Sequence, residues 1–171
     1  MRRITLIVRD SVDPCLPIEA EVITPETLCK TVRVNVYVGN RKMQLSDVFD
    51  IRVDGESAGP GVTEIVLIGD ASCVKRVGEY MTDGRIIVDG DIGMHCGDFM
   101  TGGTIEIMGN AGDWLGREML GGKILCQGKA GNYWGSPATA AAGKVCAAVK
   151  FWLRAVSGTT AANVSLAVLS V

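Results

Sequence analysis

The sequence of 171 residues predicts an all-β protein, a right-handed parallel β-helix that follows a small mixed N-terminal segment. Between Met81 and Gly135 the residue types recur every 19 residues, in the copies MTDGRIIVDGDIGMHCGDF, MTGGTIEIMGNAGDWLGRE and MLGGKILCQGKAGNYWG. Each copy also carries two apolar residues two positions apart, and no segment of the repeat has the helical period of about 3.6 residues. A copy is too short for a strand–helix–strand unit, so we expect it to form one coil that stacks on the next.

The apolar residues define the inner face of the predicted coils. Ile86 and Val88 lie two apart, so both point to the same side of a short strand. Stacked coils lie about 4.8 Å apart, which places isoleucine on isoleucine and methionine on methionine. An antiparallel meander would also use glycine turns, but it explains the fixed period less well. The equivalent inner residues are Ile105 and Ile107, Ile124 and Cys126, and the methionines Met81, Met100 and Met119.

A fainter copy precedes these three, with Leu67 and Gly78 predicted to lie one period before Ile86 and Gly97. Glycines bracket the strands, where the chain must turn sharply or adopt positive φ. These repeat-turn glycines are Gly84, Gly90, Gly93, Gly97, Gly103, Gly109, Gly112, Gly116, Gly122, Gly128, Gly131 and Gly135.

The first sixty residues lack the period and hold four of the five prolines. Thr24 and Pro25 predict a helix start, with threonine as N-cap and proline at the first helical position. Valines at alternate positions from 32 to 38 predict a strand, and Gly39–Asn40 predicts its turn. The sequence SAGPG at 57–61 predicts the joint to the repeat.

Outward positions show what the coils present to solvent. Positions 91, 110 and 129 are Asp, Asn and Lys, positions 98 and 117 are Asp and Arg, and positions 95, 114 and 133 are His, Trp and Tyr. The last series predicts an aromatic ladder, which is either a docking surface or simply a set of flat side chains that stack on successive coils. We take Trp114, Arg117 and Tyr133 as candidate interface residues.

Composition and motifs exclude several classes of function. The formal charge of −2 leaves no basic excess for a nucleic-acid backbone. The N-terminus is too polar for a signal peptide, and the uncharged stretch 155–171 falls short of a membrane span, so we expect a soluble, cytoplasmic chain. No carboxylate ladder with a basic residue, G-x-S-x-G, P-loop or H-E-x-x-H motif is present. The sequence therefore predicts no catalytic residues.

Metal and redox sites are not expected on this chain. The six cysteines form no C-x-x-C pair, and the only histidine adjoins Cys96. The pair His95 and Cys96 is the one place where two soft ligands meet, and we expect these residues to be packed in a turn instead. We predict no cofactor and no disulfide on this chain.

Three segments resemble the C subunit of formylmethanofuran dehydrogenase: VYVGNRKMQLSDVFDI at 36–51, GEYMTDGRIIVDGDIGMHCGDFM at 78–100 and NAGDWLGREMLGGKI at 110–124. The resemblance spans about residues 15–136. It implies a non-catalytic scaffold in a complex that, in methanogens, reduces carbon dioxide and attaches the formyl group to methanofuran. It also implies partner subunits that carry a molybdenum or tungsten pterin, iron–sulfur clusters and a metal-dependent amidohydrolase-like site.

Three alternatives stay open. The formyltransferase/hydrolase complex of methylotrophs contains a similar subunit without a redox metal. The C-terminal domain of glutamate synthase is a related solenoid, although it lies behind a very long chain. The third alternative is a stand-alone β-helix protein that acts on carbohydrates.

The sequence divides into residues 1–60, a repeat over 61–136 and a tail over 137–171. The tail has ten alanines and no acidic residue, and the period stops within a coil. Shifted codons across 145–152 permit M-C-G-G-K-I-L, which matches Met119–Leu125, and those across 157–162 permit G-N-Y-C-G, which matches Gly131–Gly135. We therefore expect a displaced reading frame near residues 136–139; a genuine cap for the open strand edge is the alternative.

Overall fold

The computed structural model describes residues 1–56, 59–135 and 149–151, and most of the regular structure in these residues is strand. None of the helices in them is long and apolar enough to cross a membrane. The strands are β1 (Arg2–Val8), β2 (Ile18–Glu19), β3 (Asn35–Val38), β4 (Arg41–Gln44), β5 (Phe49–Asp54), β6 (Thr63–Ile68), β7 (Val74–Lys75), β8 (Arg85–Asp89), β9 (Thr101–Ile107), β10 (Gly121–Cys126) and β11 (Val149–Phe151). The helices are α1 (Pro25–Leu28), α2 (Leu45–Val48) and a 3₁₀ turn at Pro60–Val62.

The strands form two mixed sheets. One has seven strands in the order β11-β10-β9-β8-β6-β1-β5, and the other has four in the order β4-β3-β2-β7. From β11 to β1 every neighbouring pair in the first sheet is parallel, whereas β5 runs antiparallel to β1. One hydrophobic core continues through both regions of the chain.

The copies of the repeat pair strand on strand at the predicted spacing. Ile86 lies opposite Ile105, and Ile105 lies opposite Ile124, each one full period further along the chain. Parallel bridges join Ile92 to Ala111, and Ala111 to Ala130, at the same interval. The predicted inner face is confirmed, because the residues that we assigned to it are at most 2% exposed: Ile86, Val88, Ile105, Ile107, Ile124, Cys126, Met81, Met100 and Met119.

The first copy departs from the predicted register. Leu67 precedes Ile86 by one period in the sequence but lies opposite Val88, and the residue that lies opposite Ile86 is Ile65. This copy is two residues longer than the period. Ala71 bridges Ile92, and the extra two residues lie between Ala71 and the turn at Gly78. The prediction for Gly78 stands: the Gly97 amide bonds the Val77 carbonyl as the Gly116 amide bonds that of Cys96.

The double glycine of the second and third copies follows from close packing against the methionine of the preceding copy. A Cβ at Gly103 would lie 2.5 Å from the Cε of Met81, and one at Gly122 would lie 2.8 Å from the Cε of Met100. The glycine before each of these faces a backbone carbonyl, so that a Cβ at Gly102 would overlap the oxygen of Thr82. The methionine and glycines of the motif therefore form one packing unit across two copies.

The repeat-turn glycines divide into two groups. The sequence predicted positive φ, which explains only the first group. The first adopts φ between +63° and +146°: Gly84, Gly90, Gly97, Gly103, Gly116, Gly122 and Gly135. The second has no such φ and is needed because a Cβ would collide with the copy stacked against it: Gly93, Gly109, Gly112, Gly128 and Gly131.

The N-terminal segment is built on local signals where it has them. Helix α1 begins as predicted, with the Thr24 hydroxyl accepting from the Thr27 amide at 3.3 Å. The predicted strand over 32–38 is shorter, since β3 begins at Asn35; its turn at Gly39, with φ 58°, is confirmed. Glu26 joins this segment to the repeat: its Oε1 accepts from the Thr82 amide at 2.6 Å, the Thr82 hydroxyl at 2.7 Å and the Asp83 amide at 2.9 Å.

Two predictions fall partly outside the described residues. In the joint predicted at 57–61, residues 57 and 58 are not described, and Pro60 begins the 3₁₀ turn. Of the tail over 137–171, only β11 is described. It pairs in parallel with β10, with Val149 opposite Ile124.

Candidate functional site

One corner of the repeat turns the chain in the same way in successive copies. The corner comprises residues 76–80, 95–99 and 114–118, and the next copy begins it at Tyr133. In each, the first, third and fifth residues adopt positive φ, with glycine only at the third. The other residues in this conformation are Arg76, His95, Trp114, Tyr133, Tyr80, Phe99 and Glu118. Left-handed non-glycine residues cost about 1–3 kcal/mol each, so the packing around the corner must compensate.

The first and fifth corner residues form two stacks of rings. His95 lies parallel to Trp114 at 6.1 Å between centroids, and Trp114 lies over Tyr133 at 4.6 Å with an interplanar angle of 18°. Tyr80 lies over Phe99 at 4.9 Å. Tyr80 and Tyr133 are about 60% exposed. The predicted aromatic ladder therefore exists, and we call the two ring stacks, with the charged residues between them, the corner strip.

The fourth corner residue supplies the charge of the strip. Asp98 was predicted to face solvent, and this is wrong, because it is only 1% exposed. Its Oδ2 accepts from the His95 Nδ1 at 2.8 Å and from the Arg117 Nε at 3.1 Å. Its buried Oδ1 receives no hydrogen bond within the described residues. The left-handed residues on either side redirect Asp98 inward, which simple alternation of side chains does not anticipate.

The three candidate interface residues lie together in this strip. The guanidinium of Arg117 lies over the ring of Phe99 at 5.0 Å and over that of Trp114 at 5.9 Å, while Trp114 stacks on Tyr133. The hydrogen bond from its Nε to the buried Asp98 holds the guanidinium between the two ring stacks. Arginine, tryptophan and tyrosine are the side chains that most often dominate binding at protein interfaces.

Glu79 is a second buried carboxyl of the strip, with 8% exposure. Burial raises its pKa, and the nearby charges of Asp98 and Glu21 add to the rise, which Arg76 and His95 only partly offset. The Arg76 Nη1 lies 3.5 Å from the Glu79 Oε2. Burial therefore disfavours the ionised form of Glu79 by more than the ion pair with Arg76 favours it.

A cleft of about 410 Å³ opens beside His95, where the N-terminal segment meets the corner. Within it Glu19 lies 3.9 Å from the Lys75 Nζ and 3.4 Å from the Arg76 Nε. Sequence reasoning missed the cleft because its walls come partly from a segment without the period. The cleft is lined by Glu19, Glu21, Tyr37, Lys75, Arg76, Met94 and His95.

His95 and Cys96 adjoin in the sequence but have different surroundings in the corner. Cys96 is fully buried, and burial raises the pKa of its thiol, whereas His95 bonds Asp98. Across residues 1–56 and 59–135 no group of three or more His, Cys, Asp or Glu side chains could hold a metal ion. A carboxylate that orients a histidine is a part of many hydrolytic sites, but no hydroxyl or thiol in the described part of the chain bonds this histidine.

Known proteins match about half of this chain. The C subunit of the molybdenum-containing formylmethanofuran dehydrogenase 1 of Methanosarcina barkeri is 35% identical over 99 residues, which is 55% of this chain and 32% of that protein. The C subunit of the tungsten-containing formylmethanofuran dehydrogenase 2 is 37% identical over 87 residues in Methanococcus maripaludis, covering 48% of this chain and 30% of that protein, and 38% identical over 95 residues in Methanothermobacter wolfeii, covering 52% and 34%. The match thus spans about a third of the length of these relatives, and no protein-family model matches the chain.

Proposed function

We propose that this chain is a non-catalytic scaffold, the C subunit, of a formylmethanofuran dehydrogenase that reduces carbon dioxide with methanofuran to formylmethanofuran in methanogenesis. The observation that carries the proposal is the identity of 35–38% with relatives of that name in both molybdenum and tungsten forms. The proposal places the redox metal on a partner, since the described residues hold no cluster of metal ligands.

The scaffold role rests on the geometry of the repeat. Parallel pairing of successive copies, one period apart, supports a right-handed parallel β-helix as the architecture. Such a stack presents the same corner at every copy, and here the corner carries rings and a fixed guanidinium. We place the contact with a partner subunit at Trp114, Arg117 and Tyr133.

The chemistry would then lie on neighbouring subunits in the cytoplasm. A pterin-binding subunit with molybdenum or tungsten and iron–sulfur clusters would perform the reduction, and an amidohydrolase-like subunit would transfer the formyl group. Neither nucleic acid nor membrane is a partner in this proposal; the formal charge of −2 leaves no basic excess to neutralise a nucleic-acid backbone.

Co-purification tests the proposal. The full chain carries an affinity tag and is produced together with the products of its neighbouring genes. We expect recovery of a pterin-binding subunit with molybdenum or tungsten, and formylmethanofuran-dependent reduction of a dye. Recovery of a formyltransferase without a redox metal would favour the methylotroph complex instead, and a carbohydrate-cleaving activity of the chain alone would favour the stand-alone protein.

A DNA read across the gene and its neighbours tests the proposed division into residues 1–60, 61–136 and 137–171. An added or missing base near codon 136 would establish that the tail is out of frame. An intact frame would make the tail a genuine part of the protein.

A further inference from the structure

The edge of the seven-stranded sheet at β5 can pair with a further strand. β5 is the last strand of that sheet, and within the described residues only β1 pairs with it. Its sequence, FDIRVD, contains neither proline nor lysine, and its register with β1 runs from Phe49 to Asp54 without a bulge. Proteins commonly protect their edge strands with these features, because an unprotected edge pairs with another chain.

The apolar side of β5 is incompletely covered. Val53 lies opposite the fully buried Ile4, on the face of the sheet that holds the core, yet Val53 is 42% exposed. Ile51, opposite Leu6 on the same face, is only partly buried. A strand added along β5 would bring apolar neighbours to both side chains and remove further apolar surface from water.

The outward side chains of β5 carry charges of both signs. Asp50, Arg52 and Asp54 alternate with the apolar residues of the strand. Asp50 binds Arg9 through one carboxylate oxygen at 2.7 Å and stays exposed, and Arg52 forms no ion pair within the described residues. A strand with charges of one sign would repel a copy of itself, whereas this strand can pair with its own sequence.

One register makes the strand complementary to itself. In antiparallel pairing about Ile51, Asp50 of each copy lies opposite Arg52 of the other, and Phe49 lies opposite Val53 on the apolar face. Pairing about Arg52 would place arginine on arginine and Asp50 on Asp54. Pairing about Val53 joins Arg52 to Asp54 but aligns only residues 52–54, whereas pairing about Ile51 aligns residues 49–53.

We propose that β5 is a dimer interface, at which a second copy of this chain adds its own β5 in antiparallel register about Ile51. The interface is isologous, so the pair of Asp50 with Arg52 occurs twice. Backbone hydrogen bonds between the strands supply affinity, and the two charge pairs select the register. The inference goes beyond the proposed function, because it does not depend on the identity of any other subunit.

The experiment measures the mass of the full chain by sedimentation equilibrium over a range of protein concentrations. Arg52→Asp creates two like-charged acidic pairs in the dimer, and Asp50→Arg creates two like-charged basic pairs. An equimolar mixture of these two variants restores opposite charges in both pairs, but only in the mixed dimer. Arg41→Asp, the same change on the exposed edge strand β4, is the matched control. Circular dichroism checks the fold of each variant.

We expect the wild type and the control to dimerise equally, and each variant of β5 to have a dissociation constant about tenfold higher or more. The mixture should dimerise about as tightly as the wild type, and high salt should narrow the differences. A monomeric wild type, or a dimer or larger species that the β5 variants leave unaltered, would overturn the inference. A mixture that dissociates as readily as its components would exclude the register about Ile51. None of these outcomes changes the co-purification result on which the proposed function depends.

Discussion

The repeat over 59–135 and the N-terminal segment over 1–56 share one core, yet their residues acquire neighbours in different ways. Ile105 lies between Ile86 and Ile124, so each side of it meets the same residue type. Leu6 lies between Leu67 on one strand and Ile51 on an antiparallel strand that comes from elsewhere in the chain. A change in the repeat therefore meets the same residue type above and below it, whereas a change in the N-terminal segment meets two neighbours of different origin.

The largest difference in the free energy of unfolding should appear between alanine substitutions at two glycines, one in the repeat and one in the N-terminal segment. Gly102→Ala places a Cβ on the carbonyl of Thr82 in the copy above, and should lower the free energy of unfolding by about 3 kcal/mol or more. Gly39→Ala meets only the Leu16 side chain at 3.6 Å and bears the cost of positive φ, about 1 kcal/mol. Urea denaturation measures both. Equal losses would show that stacking between copies does not govern the repeat.

A smaller effect is expected at Glu26, which joins the two regions. Glu26→Gln should lower the free energy of unfolding at pH 7 by about 1–2 kcal/mol, because glutamine keeps an acceptor oxygen but loses the negative charge that strengthens the three hydrogen bonds from Thr82 and Asp83. Burial alone would raise the pKa of Glu26, but these hydrogen bonds outweigh it and lower the pKa. The stabilisation is therefore present above the ordinary glutamate pKa and is lost as the pH falls through the lowered value.

Urea midpoints between pH 3 and pH 7 test this sign. Wild type and Glu26→Gln should converge at the acid end, and Glu56→Gln, the same change at an exposed position, should leave the midpoint unaltered throughout. A gap that is constant across the pH range would mean that the charge of Glu26 plays no part.

The ring stack at Trp114 should contribute less to the free energy of unfolding than the contact of Glu26 with the repeat. Trp114→Leu keeps an apolar side chain but removes the stacking on Tyr133 and the contact with the Arg117 guanidinium, at a cost of about 1 kcal/mol. Tyr37→Leu in the N-terminal segment should cost less than about 0.5 kcal/mol, since Tyr37 is exposed. Thermal melts of the two variants provide the comparison. An unchanged melting temperature for Trp114→Leu would show that the aromatic ladder does not contribute to stability.

The smallest effect on stability is expected at Glu79, where the substitution should stabilise the protein instead of destabilising it. The raised pKa means that the folded protein favours the protonated carboxyl, so wild type loses stability as the pH rises from the ordinary glutamate value through the raised one. Glu79→Gln should escape that loss and melt slightly higher than wild type at pH 7. A lower melting temperature would show that the contact with Arg76 outweighs the cost of burial.

The interior of the repeat could be predicted because two periods coincide there. Alternation places Ile86 and Val88 on one face, and the longer period of the repeat places them against Ile105 and Ile107. The start of α1 at Thr24 could be predicted for a different reason, since a capping hydrogen bond joins residues only three apart.

The missed features depend on geometry or on distant pairing. Asp98 turns inward because its neighbours Gly97 and Phe99 are left-handed, and a charged residue gives no sign of this in the sequence. The insertion of β1 between β6 and β5 joins residues that are between 41 and 61 positions apart, and no local pattern encodes such a pairing. The cleft beside His95 depends on the same long-range docking, through β2 and β7.

The irregular first copy anchors the N-terminal segment, whereas the number of later copies determines the length of the repeat. The two extra residues after Ala71 lie in the copy that also supplies β6 and β7, the two strands on which the N-terminal segment docks. Duplication of a later copy as a whole would leave that anchor untouched. Each added copy would lengthen the stack by about 4.8 Å and add one rung to the corner. The length of the repeat can therefore change in evolution by whole copies, each of which adds the same increment.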